Sequence, residues 1–206
     1  MYDAFIGLGG SCQIAHQLEV NKLKGTSLPF DWVVSPFSSL HTLIQNNFAD
    51  LLLKENTVLV QDDEAGWYVL DRKYRTRFLH DFPLDLDFMR AYDEVKAKYE
   101  RRSRRLLELL DSSRRVLLIR LDITREEAEA FDDMLRIRFP RLRYHLLALG
   151  STPEIRPDWG LLRVSNLFLP QPVPYHWAEL DLVWEGVLWL KEKGSPTSTI
   201  QLIVNG

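Results

Sequence analysis

Residues 2–13 read Tyr-Asp-Ala-Phe-Ile-Gly-Leu-Gly-Gly-Ser-Cys-Gln, and this stretch decides the fold class. Residues 2–8, which are apolar apart from Tyr2 and Asp3, predict a short buried strand. Gly9-Gly10 predicts a tight turn, because glycine adopts backbone angles that other residues avoid. A helix is expected from about Ser11 to about Gly25, where glycine can provide a left-handed cap. A strand that leads through glycines into a helix is typical of α/β proteins.

The rest of the chain alternates strands and helices. Strands are predicted over 57–61, 67–70, 75–79, 116–119 and 144–149, and helices over 36–53, over 88–109 and from Thr124 to just before Pro140. Thr124 and Glu127 have the spacing of a capping box. The strand-helix-strand order over 116–149 predicts a parallel crossover. The sequence therefore predicts one α/β domain over 1–206, with a mixed, partly parallel sheet flanked by helices on both faces.

Within this single domain, residues 1–150 carry all the motifs, and residues 151–206 form a C-terminal extension. Prolines at 170, 172 and 174 predict a connecting loop. The apolar spacing from Trp177 to Leu188 predicts a final helix, and residues 197–204 are compatible with an edge strand.

Composition excludes several classes of protein. The 206 residues include 26 basic and 29 acidic side chains, a net charge of −3, so no nucleic-acid partner is expected. No apolar run is long enough for a membrane span, and the first residues lack a secretory signal. The single cysteine excludes an internal disulfide and a multi-thiolate zinc site. We expect a cytoplasmic protein with no metal and no cofactor, and the oligomeric state stays open.

Cys12 is the candidate nucleophile. It falls in the first turn of the predicted helix, where unpaired backbone N–H groups and the helix dipole stabilise a thiolate. The amides of Gly9, Gly10 and Ser11 would be available to hold an oxyanion. The alternative is a small buried hydrophobe that faces the sheet, which is common for free cysteine.

A nucleophilic cysteine needs a base, and His80 differs from the other histidines. It ends the predicted strand over 75–79, and strand ends are where sites of α/β proteins gather. The structural alternative is a loop histidine paired with Asp81. His16 lies on the same helix as Cys12 and His145 alternates with apolar residues, so a core or sheet-face role is expected for His145.

Three segments together resemble a known family. They are residues 8–12 (Leu-Gly-Gly-Ser-Cys), 29–32 (Pro-Phe-Asp-Trp) and 78–82 (Phe-Leu-His-Asp-Phe). An arginine-rich stretch over 101–105, ahead of an apolar strand over 116–120, completes the pattern. The set is similar to the family named "putative papain-like cysteine peptidase", a domain of unknown function found mainly in bacteria. Gly10 departs from it, because a more variable polar residue is expected there.

The resemblance implies that Cys12 is the nucleophile and His80 the general base of a peptidase, or of a related thiol hydrolase or acyltransferase. Its substrate would be a peptide or a small molecule. In a papain-like arrangement a third polar group orients the imidazole. Asp122, just after the strand residues 116–121, is the first candidate for that role, Asp31 the second and Asp81 the third.

Two side chains are candidates for the walls of the site. Trp32 follows Asp31 in a turn, and it would either line a pocket or staple the turn. Arg102 interrupts an apolar helical seam. It would either extend its head into water or point into the site and bind a carboxylate or phosphate.

Two other functions remain open. Gly10-Ser11-Cys12 after a first strand also resembles the start of some serine hydrolases with a flavodoxin-like sheet, in which Ser11 would be the nucleophile; a helix N-cap is the alternative role of Ser11. A glycine-rich turn with nearby arginines would also suit a non-catalytic protein that binds phosphate or sugar nucleotides. A dinucleotide fingerprint is disfavoured, because Cys12 stands where its third glycine is required.

Overall fold

The computed structural model describes residues 2–63 and 66–169. The strands are β1 (Ala4–Gly7), β2 (Val33–Val34), β3 (Thr57–Asp62), β4 (Gly66–Asp71), β5 (Thr76–Phe78), β6 (Arg115–Leu121), β7 (Arg143–Gly150) and β8 (Val164–Phe168). The helices are α1 (Gln13–Val20), α2 (Phe37–Gln45), α3 (Tyr92–Leu110) and α4 (Arg125–Arg138), and short 3-10 turns cover Lys54–Asn56, Phe88–Ala91 and Pro153–Ile155.

Four strands form a parallel sheet in the order β1-β6-β7-β8. Ile6 of β1 pairs with Leu118 of β6, and Leu118 pairs in turn with Leu146 of β7. The predicted parallel crossover is confirmed, with α4 between β6 and β7. Both Thr124 and Glu127 make the expected capping-box bonds at the start of α4.

The other four strands form an antiparallel sheet in the order β2-β5-β4-β3. The strands predicted over 57–61 and 67–70 form a hairpin, with Asp62 of β3 paired with Gly66 of β4. The α/β class is therefore confirmed, and its parallel and antiparallel strands lie in two separate sheets.

Helices cover both faces of the parallel sheet, as predicted. On one face, Ile14 and Leu18 of α1 pack against apolar residues of β6 and β7. On the other face, α2, α3, α4 and the antiparallel sheet share one larger core, in which Phe37 of α2 meets Phe131 of α4 edge to face. Apolar and polar residues do not alternate along β6, because both faces of that strand are buried.

Several predicted boundaries are wrong. The first helix ends at Val20 because Lys22, and not Gly25, takes the left-handed conformation at φ 56°. The helix predicted over 36–53 ends at Gln45, since Asn47, Phe48 and other residues before position 53 are also left-handed. Two strands, β2 and β8, were not predicted: β2 has only two residues, and β8 carries Ser165 and Asn166.

The predicted C-terminal proline loop, final helix and edge strand lie outside the described residues. Among the helices of residues 2–63 and 66–169, none combines the length and apolar composition that a membrane span requires.

Candidate active site

The glycine-rich turn joins β1 to α1 and requires glycine at two positions. Gly9 and Gly10 have φ values of 78° and 96°, which other residues rarely adopt. A β-carbon on Gly10 would lie 2.7 Å from the backbone oxygen of Leu121, and one on Gly9 would lie 2.9 Å from Oγ of Ser35. The turn therefore packs against the end of β6 with no space for a side chain.

Cys12 follows the turn as the N-cap residue of α1, and its Sγ lies 4.0 Å from Nε2 of His80. This distance is at the outer limit for a hydrogen bond to sulfur. His80 comes two residues after β5. The His80 and Trp32 rings are nearly perpendicular, with 6.0 Å between their centroids. The fold therefore brings together one residue from each of the three sequence motifs.

The surroundings of Cys12 disfavour its thiolate. Burial, followed by the negative charge of Asp81, raises the pKa of the Cys12 thiol to about 11, and a backbone N–H only partly offsets this. Desolvation and a neighbouring anion both penalise the charged form of a thiol. The resting site thus holds a protonated thiol, contrary to the expectation of a thiolate stabilised by the helix N-terminus.

Asp81 is held by three side chains of α3. Its carboxylate accepts a hydrogen bond of 2.7 Å from the Tyr99 hydroxyl, and it lies 2.8 Å from Nζ of Lys98 and 3.6 Å from Nη1 of Arg102. The Arg102 guanidinium also stacks over the Tyr99 ring, 5.3 Å from its centroid. Arg102 therefore points towards the site segment instead of extending its head into water.

Asp31 is buried and bonded within its own turn. Its Oδ2 accepts a hydrogen bond of 2.9 Å from the Leu28 amide and lies 3.8 Å from Nζ of Lys24. Burial raises the pKa of the Asp31 carboxyl, and these two partners lower it. The same Lys24 ammonium lies 5.1 Å from the centroid of the Trp32 ring. Trp32 itself has a φ of 60°, so this turn holds the ring beside His80.

Asp122 comes directly after β6, next to the glycine turn. Its backbone has a φ of 52°, and its amide donates to the Leu149 carbonyl of β7 at 2.8 Å. Burial raises the pKa of its carboxyl, and Arg120 opposes the shift. No hydrogen bond joins this carboxylate to His80, so the orienting role of Asp122 stays a prediction.

Ser11 lies one residue before the N-cap residue of α1, which is Cys12. Its Oγ accepts a hydrogen bond of 3.2 Å from the backbone N–H of Gln13, the first residue of α1. The N-cap position predicted for Ser11 is therefore wrong by one residue, although its hydroxyl still bonds the first residue of the helix. The contact ties the Ser11 oxygen to the helix, whereas the His80 imidazole approaches the neighbouring Cys12.

Arg120 was not among the predicted site residues. It is 1% exposed, and its guanidinium donates to the backbone oxygens of Leu8 at 2.7 Å and Ser35 at 2.6 Å. Burial lowers the pKa of Arg120 to about 10. It links the glycine turn to the segment before α2. The signal in the sequence is a cation within the otherwise apolar strand over 116–121.

His145, expected in a core or sheet-face role, has a partner within the sheet. Its Nε2 lies 2.7 Å from the Oγ of Ser165, so a β7 side chain meets a β8 side chain. Burial lowers the pKa of this histidine, which favours its neutral form. The His145 ring therefore connects β7 to β8 on a face of the parallel sheet, which is one of the two roles that the sequence predicts for it.

Comparisons with known proteins agree with the motifs. A family model described as "Putative papain-like cysteine peptidase (DUF1796)" matches residues 3–141. The chain is 36% identical over 154 residues to the uncharacterized protein R408 of Acanthamoeba polyphaga mimivirus, a match that covers 64% of this chain and 69% of the viral protein. No solved structure matches. Since the family model spans well over half of the chain, this protein belongs to the "putative papain-like cysteine peptidase" family.

Proposed function

We propose that the protein is a thiol hydrolase or acyltransferase in which Cys12 attacks a carbonyl carbon and His80 acts as the general base. The observation that carries this proposal is the 4.0 Å separation between Sγ of Cys12 and Nε2 of His80. Catalytic hydrogen bonds are often long without substrate and tighten when substrate binds.

The raised pKa of the thiol, about 11, decides how the reaction begins. Because the thiol is protonated at neutral pH, His80 removes its proton as sulfur attacks, and no preformed thiolate-imidazolium pair is needed. The new S–C bond gives a tetrahedral oxyanion. When that oxyanion collapses, the bond to the amine or alcohol breaks, and the leaving group takes the proton from His80.

Water or an amine then attacks the acyl-enzyme while His80 takes its proton. The S–C bond breaks, the acid or a transferred amide leaves, and the proton on His80 returns to the Cys12 sulfur. The backbone amides of Gly10, Ser11 and Cys12 donate no hydrogen bond to a backbone oxygen of the described residues. We assign them as donors to the oxyanion, because preorganised N–H groups stabilise charge that develops in the transition state.

We assign the orienting role to Asp122. Its side chain makes no hydrogen bond to another described residue, and it directly follows Leu121, which contacts the glycine turn. Asp31 and Asp81 are already engaged by Leu28 and by Tyr99. Trp32 and Arg102 would line the pocket, which would accept a peptide or a small acyl compound in the reducing cytoplasm.

Trapping the acyl-enzyme tests this function. The protein is incubated with p-nitrophenyl acetate, quenched in acid and mapped by peptide mass spectrometry. We expect one acetyl group on Cys12, no acetyl group in Cys12→Ala, and slowed acetylation, on the order of a hundredfold, in His80→Gln.

His41→Gln is the matched control, since this histidine lies on α2 and should leave acetylation unchanged. Ser11→Ala should also keep the Cys12 acetyl group. An acetyl group on Ser11 in the Cys12→Ala protein would support a serine hydrolase and overturn the proposal. Equal acetylation rates of wild type and His80→Gln would remove His80 as the base.

A further inference from the structure

A cavity of about 280 Å³ lies between α3 and the segment that follows α2, apart from the Cys12–His80 pair. The segment after α2 supplies Phe48 and Leu51, and α3 supplies Ser103 and Leu107. Tyr99 is shared between the two regions: its ring lines this cavity, and its hydroxyl donates to Asp81. The cavity has room for roughly a dozen non-hydrogen atoms, less than a drug-sized ligand needs.

Ser103 is the feature that points to a ligand. The residue is only 5% exposed, and its Oγ is buried without a hydrogen-bond partner in the described part of the chain. A serine inside a helix commonly donates to the carbonyl four residues earlier, but this one does not. Buried hydroxyls are rarely left unpaired, and a rotation about the Cα–Cβ bond of Ser103 would turn this one towards a molecule in the cavity.

The charge around the cavity favours an anion. Lys96 donates to the Leu51 backbone oxygen, and its Nζ lies 3.8 Å from Glu100, so its charge is already engaged. Arg104 also lines the cavity and forms no ion pair with a described residue. One cationic group thus remains for a carboxylate, which guanidinium binds well through two parallel hydrogen bonds.

The wall opposite α3 is held in place before any ligand arrives. Asp71 accepts from the Leu52 amide at 2.7 Å, and the Tyr92 hydroxyl donates to the Leu52 oxygen at 2.6 Å. Asn47 and Phe48, which line the cavity, are held in left-handed conformations with φ near 60°. A preformed wall reduces the ordering cost of binding.

We propose that this cavity is a second binding site, for a small carboxylate with an apolar body. The body would lie against Phe48, Leu51 and Leu107, and the carboxylate would accept hydrogen bonds from Arg104 and from the Ser103 hydroxyl. The site is independent of the chemistry assigned to Cys12, because binding here needs neither Cys12 nor His80.

An NMR titration of the full chain tests this proposal, with benzoate as the probe and benzyl alcohol as its uncharged analogue. We expect saturable millimolar binding of benzoate, with the largest backbone amide shifts in 47–52 and 99–107, and binding of benzyl alcohol at least about fivefold weaker. Ser103→Ala should weaken benzoate binding about threefold and Arg104→Gln about tenfold.

Arg105→Gln is the matched control, because Arg105 is exposed on the same helix and does not line the cavity. It removes the same charge and should leave the benzoate affinity unchanged. The proposal is overturned if benzoate produces no saturable shifts in those two segments. It is also overturned if Arg105→Gln weakens binding as much as Arg104→Gln, since that would indicate attraction by net charge alone.

Discussion

The Tyr99 hydroxyl donates a 2.7 Å hydrogen bond to the carboxylate of Asp81, the residue next to His80. Burial and the negative charge of Asp81 together raise the pKa of Tyr99 well above its ordinary value. The same carboxylate contributes to the raised pKa of Cys12. The Asp81 carboxylate therefore raises the pKa of two groups, the Tyr99 hydroxyl on α3 and the thiol of the candidate nucleophile, Cys12.

Removing this charge should make the thiol more acidic. The thiolate is the form that reacts with iodoacetamide, so the alkylation rate of wild type should rise with pH towards a midpoint near 11. In Asp81→Asn the midpoint should move to lower pH, because a neutral amide no longer repels the thiolate. At pH 9 we expect alkylation to be faster than in wild type by about three- to tenfold.

The assay is unambiguous because the chain has one cysteine. Asp85→Asn serves as the control, since Asp85 is exposed and paired with Arg90, and its profile should match that of wild type. If Asp81→Asn leaves the midpoint unchanged, the electrostatic role given to Asp81 is wrong.

Gly10→Ala should destabilise the fold. The new β-carbon would meet the Leu121 oxygen at 2.7 Å, and alanine would have to adopt a φ of 96°. We expect a loss of about 2–4 kcal/mol in the free energy of unfolding by urea denaturation. Gly25→Ala, where no atom lies within 4 Å of a β-carbon, should change the stability by less than about 1 kcal/mol. Similar losses in both variants would contradict this account of the turn.

Arg120→Met should also destabilise the protein, although methionine fills much of the same space. The substitution leaves the buried oxygens of Leu8 and Ser35 without their donor. We expect a loss of about 2–4 kcal/mol in the free energy of unfolding. The control is Arg115→Met, at the exposed start of the same strand, which should cost less than about 0.5 kcal/mol. A stable Arg120→Met protein would show that these carbonyls find other partners.

Ser103→Ala should stabilise the protein. The substitution removes a buried hydroxyl that has no partner among the described residues, and alanine has the higher helix propensity. We expect a gain of about 1–2 kcal/mol, measured as a rise in the midpoint of urea unfolding. Ser38→Ala, at an exposed position of α2, isolates the propensity effect and should gain less than about 0.5 kcal/mol. A destabilised Ser103→Ala protein would mean that the hydroxyl already has a partner.

Short sequence motifs correctly predicted structure that depends only on neighbouring residues. The Thr124 capping box appears as expected because its four residues satisfy one another without help from the rest of the fold. The end of the helix predicted over 36–53 was wrong for the opposite reason. Apolar spacing continues past Gln45, but Asp71 and Tyr92 bind the Leu52 backbone in a non-helical path.

The sequence by itself determined the alternation of strands and helices and the glycine turn ahead of Cys12, because these depend on residues close together along the chain. It also determined the family, because each of the motifs is a short run of adjacent residues. Only the tertiary structure decided that His80 lies 4.0 Å from Cys12 and that Asp81 raises the pKa of that thiol. It also decided that the buried Arg120 guanidinium donates a hydrogen bond to the Leu8 oxygen, next to the glycine turn. Distances and burial between residues far apart in the chain arise from packing two sheets against shared helices, and no local pattern encodes them.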